Sequence, residues 1–209
     1  MELYKSRWED LCAKFVAPES SKAIFNGLYE RYNDPQRHYH NFSHIERSLK
    51  NFDEIKEGSL DHPIPFEIAL WFHDAVYDPR SRNNEEASSS LAMHELILGG
   101  AHQSLIDLVC SMIMATKPGS APKSLDEAYF VDIDLAIFGS LSEDFKKYEE
   151  QIRREYSHVP SVVYKAERAK ILRGFLEQER IYKTPHFYSK YEVMARVNLE
   201  ESLKRLTSR

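Results

Sequence analysis

The sequence predicts an all-α protein, and three observations carry that reading. The 209 residues include only 7 glycines and 9 prolines, and long stretches lack both. Apolar residues recur at spacings of three and four through most of the chain, the period that gathers them on one face of a helix. Short polar breaks separate these segments, with no internal repeat and no low-complexity tract. At this length the chain can bury a substantial core and is read as a single domain over 1–209, with a helical C-terminal extension over 140–209.

The first helix carries Leu3, Trp8, Leu11, Cys12 and Phe15, and Pro18 is expected to end it. Ser20 is a candidate cap for a second helix bearing Ile24, Leu28 and Tyr32, which Asn33-Asp34-Pro35 closes. Asn41 or Ser43 starts a third, with Ile45, Leu49, Phe52 and Ile55 on its apolar face, and Gly58 stops it. A helix from about 65 to 76 has few polar groups before His73, and its apolar density marks it as central. The polar loop 77–84 is expected to roof a site. Helices over 84–98 and 104–115 follow, separated by Gly99-Gly100. The pattern is helical again over 125–138, around Asp132 and Asp134, until Gly139-Ser140 breaks it. Helices over 143–156, 159–179 and 186–206 complete the chain.

Charge and composition narrow the function classes. The formal charge is -5, which gives no general attraction to nucleic acid or to an acidic membrane. No apolar run approaches the roughly 18 residues that a spanning helix needs. The N-terminus is charged where a secretory signal would be apolar, so the expected location is the cytoplasm. Cys12 and Cys110 are widely spaced in helical patterns and read as buried thiols of a reducing compartment.

The pair His73-Asp74 follows the apolar run 68–72. A histidine and a carboxylate at the edge of a buried helix are costly unless a metal or a dense hydrogen-bond network compensates them. The alternative is that Asp74 caps the next turn and His73 is a satisfied core residue. Adjacent helical residues diverge by about 100°, so both reach one ion only if it sits beside the helix. Upstream, His40 and His44 share a face if both open one helix. Downstream, Asp132 and Asp134 cannot both face one point of a regular helix, so one is the candidate ligand and the other a supporting group or cap. His44, His73, Asp74 and one of these aspartates form a mixed nitrogen and oxygen set without a thiolate, which leaves room for water and substrate. Such a set suits one divalent ion, with Mn, Fe, Co, Ni, Zn and Mg all compatible.

The order of these clusters resembles the HD-domain superfamily of metal-dependent phosphohydrolases, with its pattern of His, His-Asp and Asp. The likeness lies in His44-Ile45-Glu46-Arg47, in Ala69-Leu70-Trp71-Phe72-His73-Asp74 and in Asp132-Ile133-Asp134-Leu135. The last stretch, compared with the closing motif of that superfamily, favours Asp134 as the ligand over Asp132. Arg37-His38-Tyr39-His40-Asn41-Phe42-Ser43-His44 and Asn84-Glu85-Glu86 are similar to a small group of predicted phosphohydrolases within it. The resemblance implies a compact multi-helix HD-domain-like fold with the C-terminal helices packed on it and the catalytic motifs within 37–139. It further implies a phosphorylated small molecule as substrate, a nucleotide being one candidate. A partial likeness to the catalytic domain of cyclic-nucleotide phosphodiesterases would make His40 a general acid. Tyr77 stands where the second histidine of that family would be, which favours a mononuclear site. A phosphodiesterase and a non-catalytic metal-bearing regulator are the alternative functions.

Transferring a phosphoryl group develops negative charge, so cationic donors are expected nearby. Lys117, just past a helix end, is the first candidate, with Arg47, Arg80 and Arg82 behind it. Glu85 and Glu86 open a helix, where carboxylates are favoured, and Glu85 is a candidate to support a ligand or organise water. In the C-terminal third, basic residues alternate with Glu149, Glu150, Glu155 and Glu167 and read mainly as charge-balanced surface. Tyr182, His186, Phe187, Tyr188 and Tyr191 read mainly as packing residues.

Overall fold

Helix after helix, with no strand, makes up the computed structural model, which describes residues 2–55 and 57–208. The helices among them are α1 (Glu2–Cys12), α2 (Pro18–Tyr32), α3 (Phe42–Asp53), α4 (Pro63–Phe72) and α5 (Asn84–Leu98). They continue as α6 (Gln103–Ala115), α7 (Leu125–Asp134), α8 (Ser142–Glu155), α9 (Ser161–Leu176) and α10 (Pro185–Thr207). A 3-10 segment, Leu135–Gly139, runs on from α7. The chain divides into two compact units, Met1–Phe130 and Val131–Arg209.

In the first unit α4 is central and packs on α3, α5 and α6. Phe66, Ile68, Ala69, Trp71 and Phe72 are wholly buried. A helix apolar on every side must be covered on every side. Trp71 meets Trp8, Phe25 and Tyr4 edge-to-face, with ring centroids 5.7, 6.0 and 6.4 Å away. Each such side chain contributes about 1.5–3 kcal/mol on burial, so this cluster anchors α1 and α2 over α4. Pro63 begins α4, and the N–H groups of Asp61 and His62 just before it donate to the buried Asp126 carboxylate at 2.9 and 2.8 Å.

Two helix ends differ from expectation for identifiable reasons. Pro18 does not merely end α1; it is the first residue of α2, where its missing N–H costs nothing, and the capping role read for Ser20 is not used. The central helix stops at Phe72 and does not run on to Val76. Side chains take the carbonyls at and just beyond its end: Tyr32 donates to Trp71 O at 2.9 Å, and Arg37 to Asp74 O and Ala75 O at 2.6 and 2.9 Å. The buried Ser88 hydroxyl both accepts from Val76 N and donates to Val76 O, each at 3.1 Å. His73 and Asp74 therefore lie in a tight turn held from several directions.

In the second unit, α10 packs on the 3-10 segment and on α9. The expected helix over 125–138 tightens at Leu135 because side chains capture its backbone. Tyr182 donates to Leu135 O at 2.9 Å and accepts from Gly139 N at 3.1 Å, while Asn198 donates to Phe138 O at 2.8 Å. A Cβ on Gly139 would lie 2.4 Å from Cβ of Tyr191, so only glycine lets α10 approach this closely. Tyr182, Phe187 and Tyr191 pack together, as expected, whereas Tyr188 is exposed. Both cysteines are free; Cys12 is buried, but Cys110 is only half-buried, with its thiol donating to Ser89 O at 3.6 Å.

Candidate metal centre

The ligand-bearing elements of the first unit converge through their termini. Asn41 caps α3, its side-chain oxygen accepting from Ser43 N at 2.9 Å, which sets His44 in the first turn. His73 caps the end of α4, and Asp74 follows in the turn. His44 and His73 are 2 and 3 % exposed, and their Nε2 atoms face each other at 2.9 Å. Asp74 Oδ2 lies 3.3 Å from the first of these and 3.2 Å from the second.

This triangle fits a metal ion. Ligands at right angles on an ion ~2.1 Å away stand ~3.0 Å apart, and tetrahedral ligands ~3.4 Å apart. The observed edges fall at or close to that range. The proton arrangement fits as well. His73 Nδ1 lies 2.9 Å from Leu70 O, which can only accept, so Nδ1 carries the hydrogen and neutral His73 keeps its lone pair on Nε2. Burial alone would raise the Asp74 carboxyl, but the His73 and His44 rings beside it hold it well below the usual carboxylate range. His44, His73 and Asp74 thus offer two nitrogens and an anionic oxygen and could hold a metal ion.

The other predicted residues take distinct places. His40 is not on α3: it precedes the Asn41 cap, so the shared-face argument from its spacing to His44 does not hold. The loop nonetheless brings its ring centroid within 6.1 Å of His44 and stacks it on Tyr77 at 4.0 Å. Glu85 is half-buried in the first turn of α5; burial raises its carboxyl, and the charge of Asp74 pushes in the same direction. Lys117 is ion-paired with Glu86, so this cation is already engaged. Arg80 and Arg82 are exposed. Arg47 lies over the Tyr39 ring at 5.9 Å, and one of its terminal nitrogens is buried with no hydrogen-bond partner among the described residues.

The two aspartates of α7 separate clearly. Asp132 is wholly buried in the second unit, where it accepts from Lys183 N at 2.8 Å and from both the amide and the hydroxyl of Thr184 at 2.7 Å. It is the anchor of the chain entering α10. Asp134 is the last residue of α7 and half-buried. It lies one helical turn beyond Phe130, whose ring meets His73 edge-on at 5.9 Å.

Arg37 is the functional residue that sequence reasoning left without a role. Its guanidinium donates to His40 O at 3.1 Å as well as to Asp74 O and Ala75 O, so one side chain ties the His40 loop to the ligand turn. It also lies over the Tyr32 and Tyr77 rings at 5.2 and 5.8 Å. The only signal was its place two residues before Tyr39 in the histidine motif. Arg37→Ala is expected to lower stability by about 2–4 kcal/mol, because it strands partly buried carbonyls. Metal affinity should fall about 10–100-fold, as when other supporting groups of metal sites are removed. Urea unfolding and metal titration check both; unchanged values for the two would remove Arg37 from the site.

Comparison of the chain with protein-family models, with curated proteins and with solved structures found no match.

Proposed function

We propose that this chain is a metal-dependent phosphohydrolase of the HD-domain type, which cleaves a phosphate ester of a small molecule, a nucleotide being the leading candidate. The observation that carries the reading is the close triangle of His44, His73 and Asp74, backed by a fixed His73 tautomer. Asp134 is the proposed further ligand, on the same face of α7 as Phe130. A divalent ion bound there supplies Lewis-acid polarisation of a phosphoryl oxygen and an acidified water.

The side chains divide the remaining work. Asp74 orients the water as well as binding, and Glu85 supports it from the start of α5. His40, steadied by Tyr77, donates a proton to the leaving oxygen. Arg47, with a terminal nitrogen that has no partner among the described residues, is the proposed donor to a phosphoryl oxygen, since Lys117 is committed to Glu86. Tyr77 against His40, where a further histidine would be needed for a second ion, supports one ion per chain.

The test is metal analysis of protein purified without chelator, followed by a turnover screen. The panel contains mononucleotides, dinucleotides, sugar phosphates and cyclic nucleotides. Stoichiometric metal with hydrolysis of a phosphomonoester is the expected result. Turnover confined to cyclic or linear diesters would make the protein a phosphodiesterase. Bound metal without turnover across the panel would leave a metal-bearing regulatory protein.

A further inference from the structure

The second unit contains a cavity of about 620 Å3, a volume that suits a nucleotide-sized ligand. Three helices build it, each through residues that share a face. From α8 come Lys146, Glu149, Glu150, Arg153 and Arg154. From α9 come Ser161, Tyr164 and Lys165, and from α10 Ser202 and Arg205. The spacing of three and four along each helix turns these side chains toward one another.

The charges around the cavity do not balance. Glu149, one of its two carboxylates, is already neutralised by the buried Arg168, and its other oxygen accepts from Ser202 at 2.7 Å. Glu155, which the sequence pattern set among the balancing acids, is itself buried, so it screens little at this surface. Only Glu150 then opposes five cations. Arg153 is fixed in place by donating to Tyr156 O and Val159 O at 2.6 and 3.0 Å, with its guanidinium 4.6 Å above the Tyr164 ring. Lys146, Arg154, Lys165 and Arg205 are exposed and make no ion pair among the described residues. Like charges gathered around one concavity repel, and a bound anion relieves that repulsion. The Tyr164 ring adds an apolar wall. Its hydroxyl is buried without a hydrogen-bond partner among the described residues.

We propose that this cavity binds a phosphorylated small molecule of nucleotide size. Arg154, Lys165, Lys146 and Arg205 take its phosphates, and Tyr164 with Arg153 forms the wall against its organic part. The site shares no residue with the metal centre, so the protein has a second place for an anionic ligand.

The probe is adenosine diphosphate, titrated calorimetrically into the full chain in the presence of EDTA. Saturable one-site binding that weakens with added salt is expected. The double variant R154E/K165E should lose at least about tenfold in affinity while keeping the wild-type helical spectrum. A milder pair, R154Q/K165Q, should lose less. Asp74→Asn, which alters only the metal centre, should bind as the wild type does. The proposal is overturned if wild type shows no saturable binding, or if both double variants bind like wild type. It is equally overturned if Asp74→Asn abolishes binding, which would place the nucleotide at the metal centre.

Discussion

Replacing His73 with alanine is expected to abolish metal binding and hydrolysis together. His73 supplies one corner of the ligand triangle through Nε2, and its other nitrogen is already committed to Leu70 O. Loss of a supporting contact alone costs a metal site about 10–100-fold, and loss of a ligand should exceed this. Asp74→Asn should do comparable harm by a different route, because the shape survives while the one anion between two imidazoles is removed. Metal content by mass spectrometry and turnover on a verified substrate are the measurements. Circular dichroism separates these losses from unfolding, since His73→Ala also removes a buried hydrogen bond worth about 1 kcal/mol. Full activity in either variant would end the hydrolytic reading of this site.

The largest effect on stability is expected at Asp132. Alanine there leaves the amides of Lys183 and Thr184 and the Thr184 hydroxyl without their acceptor at a buried helix start. Each buried donor left without an acceptor costs about 1–3 kcal/mol, so the three together are a large share of the stability of a domain this size. Asp132→Asn should be milder, since the amide oxygen can still accept from Thr184. Both variants should keep their metal per folded molecule. Chemical unfolding and metal analysis decide the matter: a stable Asp132→Ala protein that had lost its metal would make Asp132 the ligand and reverse the assignment between the two aspartates.

Much of this molecule is legible in its sequence because local rules suffice for it. The helix over 84–98 and the start of the next follow from glycines, polar openings and apolar spacing, all carried by neighbouring residues. The His73-Asp74 pair announces itself because polar groups after an apolar run need compensation. Other features depend on partners distant in sequence and of no fixed type. Asp132 and Asp134 cannot be ranked by periodicity, and the group that claims Asp132 is Thr184. Lys117 looks available until Glu86, on another helix, takes it. Arg37 acts on backbone carbonyls, which leave no signature in side-chain pattern. The cationic cavity was hidden because sequence alternation counts Glu149 and Glu155 as free surface charges, whereas folding pairs Glu149 with Arg168 and buries Glu155.

The turn that bears His73 and Asp74 has a thermodynamic consequence. Arg37, Tyr32 and Ser88 take hold of backbone groups from Trp71 to Val76, so this segment has few conformations left to lose. Fixing a residue costs about 1–2 kcal/mol in backbone entropy, and here folding meets that cost through contacts unrelated to an ion. Ion capture by these ligands should therefore release water with little ordering of the chain, and its affinity should track ligand chemistry more closely than loop length.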